Sequence, residues 1–344
     1  VNVRIVIRRL AVGPAAGLAW LAWRQHRVAH WTALALAALA AIWGVWQHGQ
    51  LVGAVESWAT NCPHGRALGA EGPSVCDGTP RAVSTVMTAA RAPLRFLPVA
   101  VGALLGAPLF AQTLKDGTHR LVWTQSVSRR QWAAAKLCVT GAVTVVAALL
   151  ITAPVTWWWS TIRHGRTATG PLGTAWRDTT PQSDWSYLPY TGPAGIAHLL
   201  LALATGAAVG LLLRRVLAAV AVSAAVALAL QTGLEKLRPH LLTPTVRRTD
   251  GDAFPDWTLN AWHLDQGYTH ADGSLTATSP CPPSTTWEAL QRCEHTRHIT
   301  GTYSRDLDPQ QFLPLQWIET WICLTATALL AAFCLVHVRR MRAR

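Results

Sequence analysis

The chain has 344 residues, 51% of them hydrophobic and only 14% charged, against roughly 25% charged in soluble globular domains. Its apolar residues gather into runs near the roughly 20 residues needed to cross a bilayer as helix, which excludes a soluble core and indicates a polytopic membrane protein. The formal net charge of +13 invites a nucleic-acid reading, but the placement of that charge between the apolar runs argues against one.

Taken in order, Val1 to Trp23 carries early arginines and then LAVGPAAGLAWLAW. A signal peptide has a similar basic start, but Gly13-Pro14 interrupts the apolar part and a further hydrophobic run follows. A helix lying in the inner interface, with Trp20 and Trp23 at headgroup level, fits better. The first span is expected from Trp31 to Trp46, reaching toward Val55, and residues 56–92 form a polar loop. The second span covers Phe96 to Ala111 and extends upstream. Within it, Gly102 and Gly106 make a small-xxx-small pair, which lets helix backbones approach and is a candidate dimer face.

After a polar segment, the third span runs from Leu137 to Thr156 and ends at Trp157-Trp158-Trp159, which reads as an interfacial belt. Residues 160–192, rich in Gly, Pro, Thr and Ser, read as an outer loop. Pro193 to Leu213 and Val216 to Leu230 form a helical hairpin, with Arg214-Arg215 at its inner turn because two arginines are costly at the bilayer centre. No glycine or proline marks that turn. Gly206 and Gly210 repeat the small-xxx-small spacing. Residues 232–314 are the largest non-membrane piece, a small outer domain or a loop stitched by a disulfide, and Leu315 to Val336 is the sixth span. With both termini inside, the inner segments hold sixteen Lys and Arg against one acid, Asp116. That asymmetry is the positive-inside signature.

Between the second and third spans lies QTLKDGTHRLVWTQSVSRRQWAAAK, Gln112 to Lys136. Asp116-Gly117-Thr118 reads as a break followed by a helix start, with Thr118 a candidate cap. Leu121, Val122 and Trp123 form a short apolar stripe surrounded by Lys115, Arg120, Arg129, Arg130 and Lys136. Such an amphipathic element on the basic side suits a cytoplasmic partner, or simply lipid headgroups.

The run GAPLFAQTLKDGTHRLVWTQSVSRRQWAAAKL resembles the first cytoplasmic segment of permease subunits in type-2 ABC transporters, especially those of high-GC actinobacteria. AWRQHR (Ala22 to Arg27) and LQWIETW (Leu315 to Trp321) are similar to further pieces of the same family. The resemblance implies a pair of six-span permease units, from a second copy or a homologous permease, resting on two ATP-binding subunits. It assigns the contact with the ATPase partner to Asp116, Gly117, Thr118, His119, Arg120, Leu121, Val122, Thr124, Gln125, Ser126, Ser128 and Arg129. These 344 residues contain no GxxxxGK[ST] loop, so ATP and Mg are expected on the partner and no cofactor on this chain. Related permeases typically carry acidic residues just before the Gly-Thr pair. Here Gln112, Thr113 and Lys115 stand there and only Asp116 is retained, which puts a family-like inner salt bridge in doubt.

Of the seven cysteines, Cys138, Cys323 and Cys334 lie in spans, where a thiol behaves as a small apolar group. Cys62, Cys76, Cys281 and Cys293 fall on the outer face, where oxidation is permitted. Loop locality favours the pairs Cys62–Cys76 and Cys281–Cys293 among the three possible pairings. Cys293, His295 and His298 sit close together, but their spacing matches no strong zinc pattern, and no metal is expected. Asp250, Asp252 and Asp256 read as solvated loop acids, and there is neither an HExxH nor a GxSxG motif. Glu319, at the outer start of the last span, needs water, a partner or a proton at that depth. A structural pairing and a place on the substrate path both remain open for it.

The expected fold is therefore an all-α membrane protein. It divides into an interfacial N-terminal segment (1–30), five spans with a coupling segment (31–231, with 112–136), an outer region (232–314), and a sixth span with a basic tail (315–344). The expected function is the permease of an ABC exporter in the plasma membrane. The alternatives are a membrane sensor or regulatory subunit with a ligand-binding outer loop, or a membrane-embedded enzyme acting through residues 232–314.

Overall fold

The computed structural model describes residues 14–61, 81–116, 128–179, 185–250, 261–278, 281 and 286–341. Among them, six helical stretches are long and apolar enough to cross a membrane. Helix α1, Pro14–Asn61, joins the expected interfacial helix to the first span and kinks at His26 (φ −116°, ψ 16°). The second span is composite: α2, Arg81–Ala100, a π-helical turn over Val101–Gly106, and α3, Ala107–Lys115. Pro93 and Pro98 lie inside α2. Each removes a backbone donor, and a wide turn such as the π segment absorbs the resulting mismatch. Helix α4, Arg129–Thr167, carries a capping box in which Ser128 and Gln131 satisfy each other's backbone.

The small-residue pairs are used within the chain. Gly102 and Gly106 face α6, Gly192–Leu213, so closely that a Cβ on Gly106 would lie 2.6 Å from the Leu203 carbonyl oxygen and one on Gly102 2.9 Å from that of Ala202. Gly206 and Gly210 face the same seam from the other side. Helix α6 is the hub, packing on α3, α4, the π turn, the next helix and the last span, Phe312–Arg340. Helix α7, Val216–Leu237, completes the hairpin and ends in a 3-10 turn, Arg238–His240. Arg214 itself turns the corner, adopting a left-handed conformation (φ 55°) with its N–H donating to the Gly210 carbonyl. A non-glycine residue therefore does the work usually given to Gly.

Residues 160–192 are largely helical rather than a loop. Helix α4 continues to Thr167, α5 spans Gly170–Thr179, and a 3-10 turn covers Trp185–Tyr190. The tryptophan triplet is likewise only partly a belt. Trp157 is exposed, while Trp158 and Trp159 are buried against Tyr187 with ring centroids 5.1 and 5.5 Å away. Tyr187 also donates to the Met87 carbonyl at 2.6 Å. Burying rings of this size stabilises by about 2–3 kcal/mol each, enough to order a Gly- and Pro-rich stretch.

The fold is the expected all-α membrane architecture, with a small sheet added in the C-terminal region. Strands β1 (Thr245–Asp250), β2 (Trp262–His270), β3 (Leu275–Thr276) and β4 (Ile299–Leu307) form an antiparallel sheet in the order β1-β4-β2-β3. Helix α8, Trp287–Thr296, lies between β3 and β4 in the chain. A disulfide joins Cys281 to Cys293 of α8. Cys62 and Cys76 lie outside the described residues. A capping box between Asp308 and Gln311 opens the 3-10 turn that leads into α9, Phe312–Arg340. Leu307, Phe312 and Leu315 share one apolar cluster with Leu51, Val55 and Ile162, so the sheet is anchored directly on the bundle.

Candidate functional site: an inner frame and a buried ion triad

The expected partner contacts Gly117, Thr118, His119, Arg120, Leu121, Val122, Thr124, Gln125 and Ser126 lie outside the described residues. Their frame is described. Asp116 ends α3, and its N–H donates to the Gln112 carbonyl. Ser128 starts α4, accepting from the Gln131 N–H at 3.2 Å while its own N–H donates to Gln131 Oε1 at 3.1 Å. Arg129 donates to the Met341 carbonyl at the end of α9. The two ends of the segment are thus fixed to separate helices of one packed bundle.

Lys136 is the residue that closes this frame. The sequence places it among the basic groups around the segment, but the side chain is 1% exposed. Its Nζ donates to the Leu109 carbonyl at 3.0 Å and to Thr113 Oγ1 at 3.3 Å, both on α3, and lies 3.2 Å from His26 Nε2 at the kink of α1. The Trp132 ring lies below it, 4.9 Å from Nζ, and packs edge-on against Phe110. An ammonium has three donors and no acceptor, and three acceptors surround this one. For Lys136 to donate to Nε2, the His26 imidazole must carry its proton on Nδ1. Thr113, one of the non-acidic residues before the Gly-Thr pair, supplies a hydroxyl where a carboxylate would make an ion pair.

At the opposite end of the bundle, Glu319 of α9 is completely buried. Arg238 grips it in fork geometry, Nε to Oε2 and Nη2 to Oε1, both at 2.8 Å. His198 of α6 lies 2.7 Å from Oε1. One turn earlier on α9, Gln316 donates from Nε2 to the Thr191 carbonyl at 2.8 Å and to its hydroxyl at 3.1 Å. The carboxylate therefore joins α6, α7 and α9. The geometry around Glu319 is that of a buried ion pair. Charge-assisted, two-pronged contacts of this kind are the strong members of their class. His198 and Arg238 were not singled out in the sequence, although a lone histidine within GIAHLLLALA is the signal that asks for a partner.

The sheet carries a third polar group. Asp306, 1% exposed, is bonded to His263 Nδ1 at 2.5 Å and accepts from Ser304 Oγ at 2.9 Å. Asp308 accepts from Thr245 Oγ1 at 2.7 Å and from Arg247 Nη2 at 2.6 Å. These bonds, that of Thr245 foremost, hold the Asp308 carboxyl below its ordinary range against a smaller opposing effect of burial. Asp250 ends β1, whereas Asp252 and Asp256 lie outside the described residues. Cys293 is committed to its disulfide, and among the described residues no three His, Cys, Asp or Glu side chains converge as a metal site.

The sequence model of one family, ABC-2 membrane transporter related, matches residues 33–238, more than half of the chain. The chain belongs to the ABC-2 membrane transporter related family. No curated protein and no solved structure matched it. As an ABC-2 family protein it is a multi-pass membrane transport component. The matched stretch holds both sides of the inner frame and two members of the triad, His198 and Arg238. Glu319 lies beyond it, so the triad ties the family body to the sheet-bearing C-terminal part.

Proposed function

We propose that this chain is the permease subunit of an ABC exporter in the plasma membrane. A separate ATP-binding subunit, holding ATP and Mg, docks on the segment between Asp116 and Arg129, and a second permease copy or a homologous permease completes the assembly. Both termini face the cytoplasm, as the basic asymmetry of the sequence requires. The observation that carries this reading is the inner frame. A force applied to residues 117–127 reaches α3 through Asp116 and α4 through Ser128, and Lys136 passes it to the kink of α1. The disposition of six spans and the family membership support the same reading.

The test is hydrolysis by the assembled complex. With the ATP-binding subunit co-expressed and the complex reconstituted in nanodiscs, MgATP turnover should depend on the native segment. Scrambling Thr118 to Ser128 should release the ATPase and abolish permease-dependent turnover while the permease still folds. Turnover unchanged by that scramble would remove the docking assignment.

A further inference from the structure

A cleft of about 120 Å³ opens between α1, α2 and α4. Ala40, Leu94, Leu97, Ile151, Val155 and Trp158 form its walls, and Trp43 and Pro93 at its rim are exposed. Gly44 of α1 lines it, and a Cβ there would lie 3.4 Å from the Pro154 Cβ of α4. Its size is near that of the roughly 150 Å³ engineered cavity that takes up benzene. A ring or a short stretch of alkyl chain therefore fits.

One polar side chain enters this lining. Gln47 is 7% exposed, yet its amide has no hydrogen-bond partner among the described residues. From the kink at His26 to Gln47 the helix rises about 30 Å, one hydrocarbon thickness. With the kink at one bilayer boundary, Gln47 falls at the other, on the side of the sheet, where Trp46 and Trp157 are exposed as an aromatic belt. Below it, Leu36, Leu39 and Ile42 of α1 are exposed apolar side chains. At that level the ester carbonyls of bilayer lipids meet their chains. An apolar slot below an unpartnered amide donor matches that chemistry.

We propose that this cleft binds one acyl chain of an ester-linked bilayer lipid, from the leaflet on the side of the sheet, with the Gln47 amide donating to the ester carbonyl. The bilayer lipid is the occupant because the rim at Trp43 adjoins the exposed apolar residues Leu36, Leu39 and Ile42 of α1. The site does not depend on the chain being a permease.

The experiment uses the full chain in nanodiscs doped with a phospholipid carrying a diazirine in its acyl chain, with labelled positions mapped by mass spectrometry. Labelling should concentrate on Trp43 to Gln47 and Leu94 to Leu97, above that on the exposed face of α7 at Leu217, Val222 and Leu228. Gly44→Leu, which fills the slot, should cut labelling there at least about fivefold and leave α7 labelling unchanged. Ala40→Leu serves as a second filling variant should the first fail to fold. In the native chain a diester probe should label better than its diether counterpart, and Gln47→Leu should erase that preference. Cleft labelling no stronger than on α7, or unaffected by filling, overturns the site. Equal labelling by diester and diether probes in the native chain overturns the role of Gln47.

Discussion

The two ends of the bundle each bury a charged side chain, and they satisfy it in opposite ways. Glu319 at the outer end meets two cation-forming partners, Arg238 and His198, which arrive from different helices. Lys136 at the inner end meets a carbonyl, a hydroxyl and an imidazole, and no carboxylate. A neutralised pair joins helices firmly, because removing one member leaves the other as an uncompensated buried charge. A lone cation among neutral acceptors leaves no orphaned counter-charge behind when it is removed. The outer triad thus acts as a fixed joint between the family body and the sheet-bearing part. The inner frame is the more adaptable of the two, and it is the end that borders the segment assigned to the ATPase.

The comparison predicts a large effect at the outer end. Glu319→Leu should destabilise the protein by about 3–5 kcal/mol, read as a lowered thermal midpoint in detergent. Adding Arg238→Met should recover most of that loss, since the orphaned cation is then gone. A double variant as unstable as the single one would show that packing, rather than charge, governs the joint. Between the two ends lies the seam of α6 against the π turn. There, Gly106→Val should cost about 1–3 kcal/mol by the same assay, because its Cβ would sit 2.6 Å from the Leu203 carbonyl oxygen. Tolerance of that change would mean that the helices approach less closely than described.

At the inner end, Lys136→Met should change stability by no more than about 1 kcal/mol while lowering permease-dependent ATP turnover about tenfold. A stability loss as large as that of Glu319→Leu would erase the contrast between the two ends. The smallest effect belongs to the sheet. The Asp308 carboxyl is held below its ordinary value of 3.8, so its contribution is fully present above that pH and is lost as pH falls through its lower, folded value. Because the pair is partly exposed, screening limits that contribution to a few tenths of a kcal/mol. Acid titration of Asp308→Asn should show a correspondingly shallower loss of sheet stability below about pH 4.

The spans were legible because bilayer thickness imposes a length on apolar runs, and the runs at 137–156 and 193–213 need little else. The ends of the helices were not. Residues 81–95 and 157–167 are polar or amphipathic and are helical because Met87, Trp158 and Ile162 pack into the outer core. The sheet was hidden by polar strands such as TVRRTD and by an acid, Asp306, on its buried side. Glu319 stood out in the sequence as needing a partner, but His198 and Arg238 are 121 and 81 residues away from it. Lys136 read as a surface charge because it sits at the edge of an apolar run. Its burial follows from His26 of α1 and Leu109 and Thr113 of α3 converging on its ammonium, which local pattern does not report.

The most direct measurement is a tagged purification from native membranes in mild detergent, with mass spectrometry of the proteins retained. The account predicts a stoichiometric soluble subunit carrying a phosphate-binding GxxxxGK[ST] loop, lost when Thr118 to Ser128 is scrambled. An intact, folded chain that retains no such subunit would contradict it.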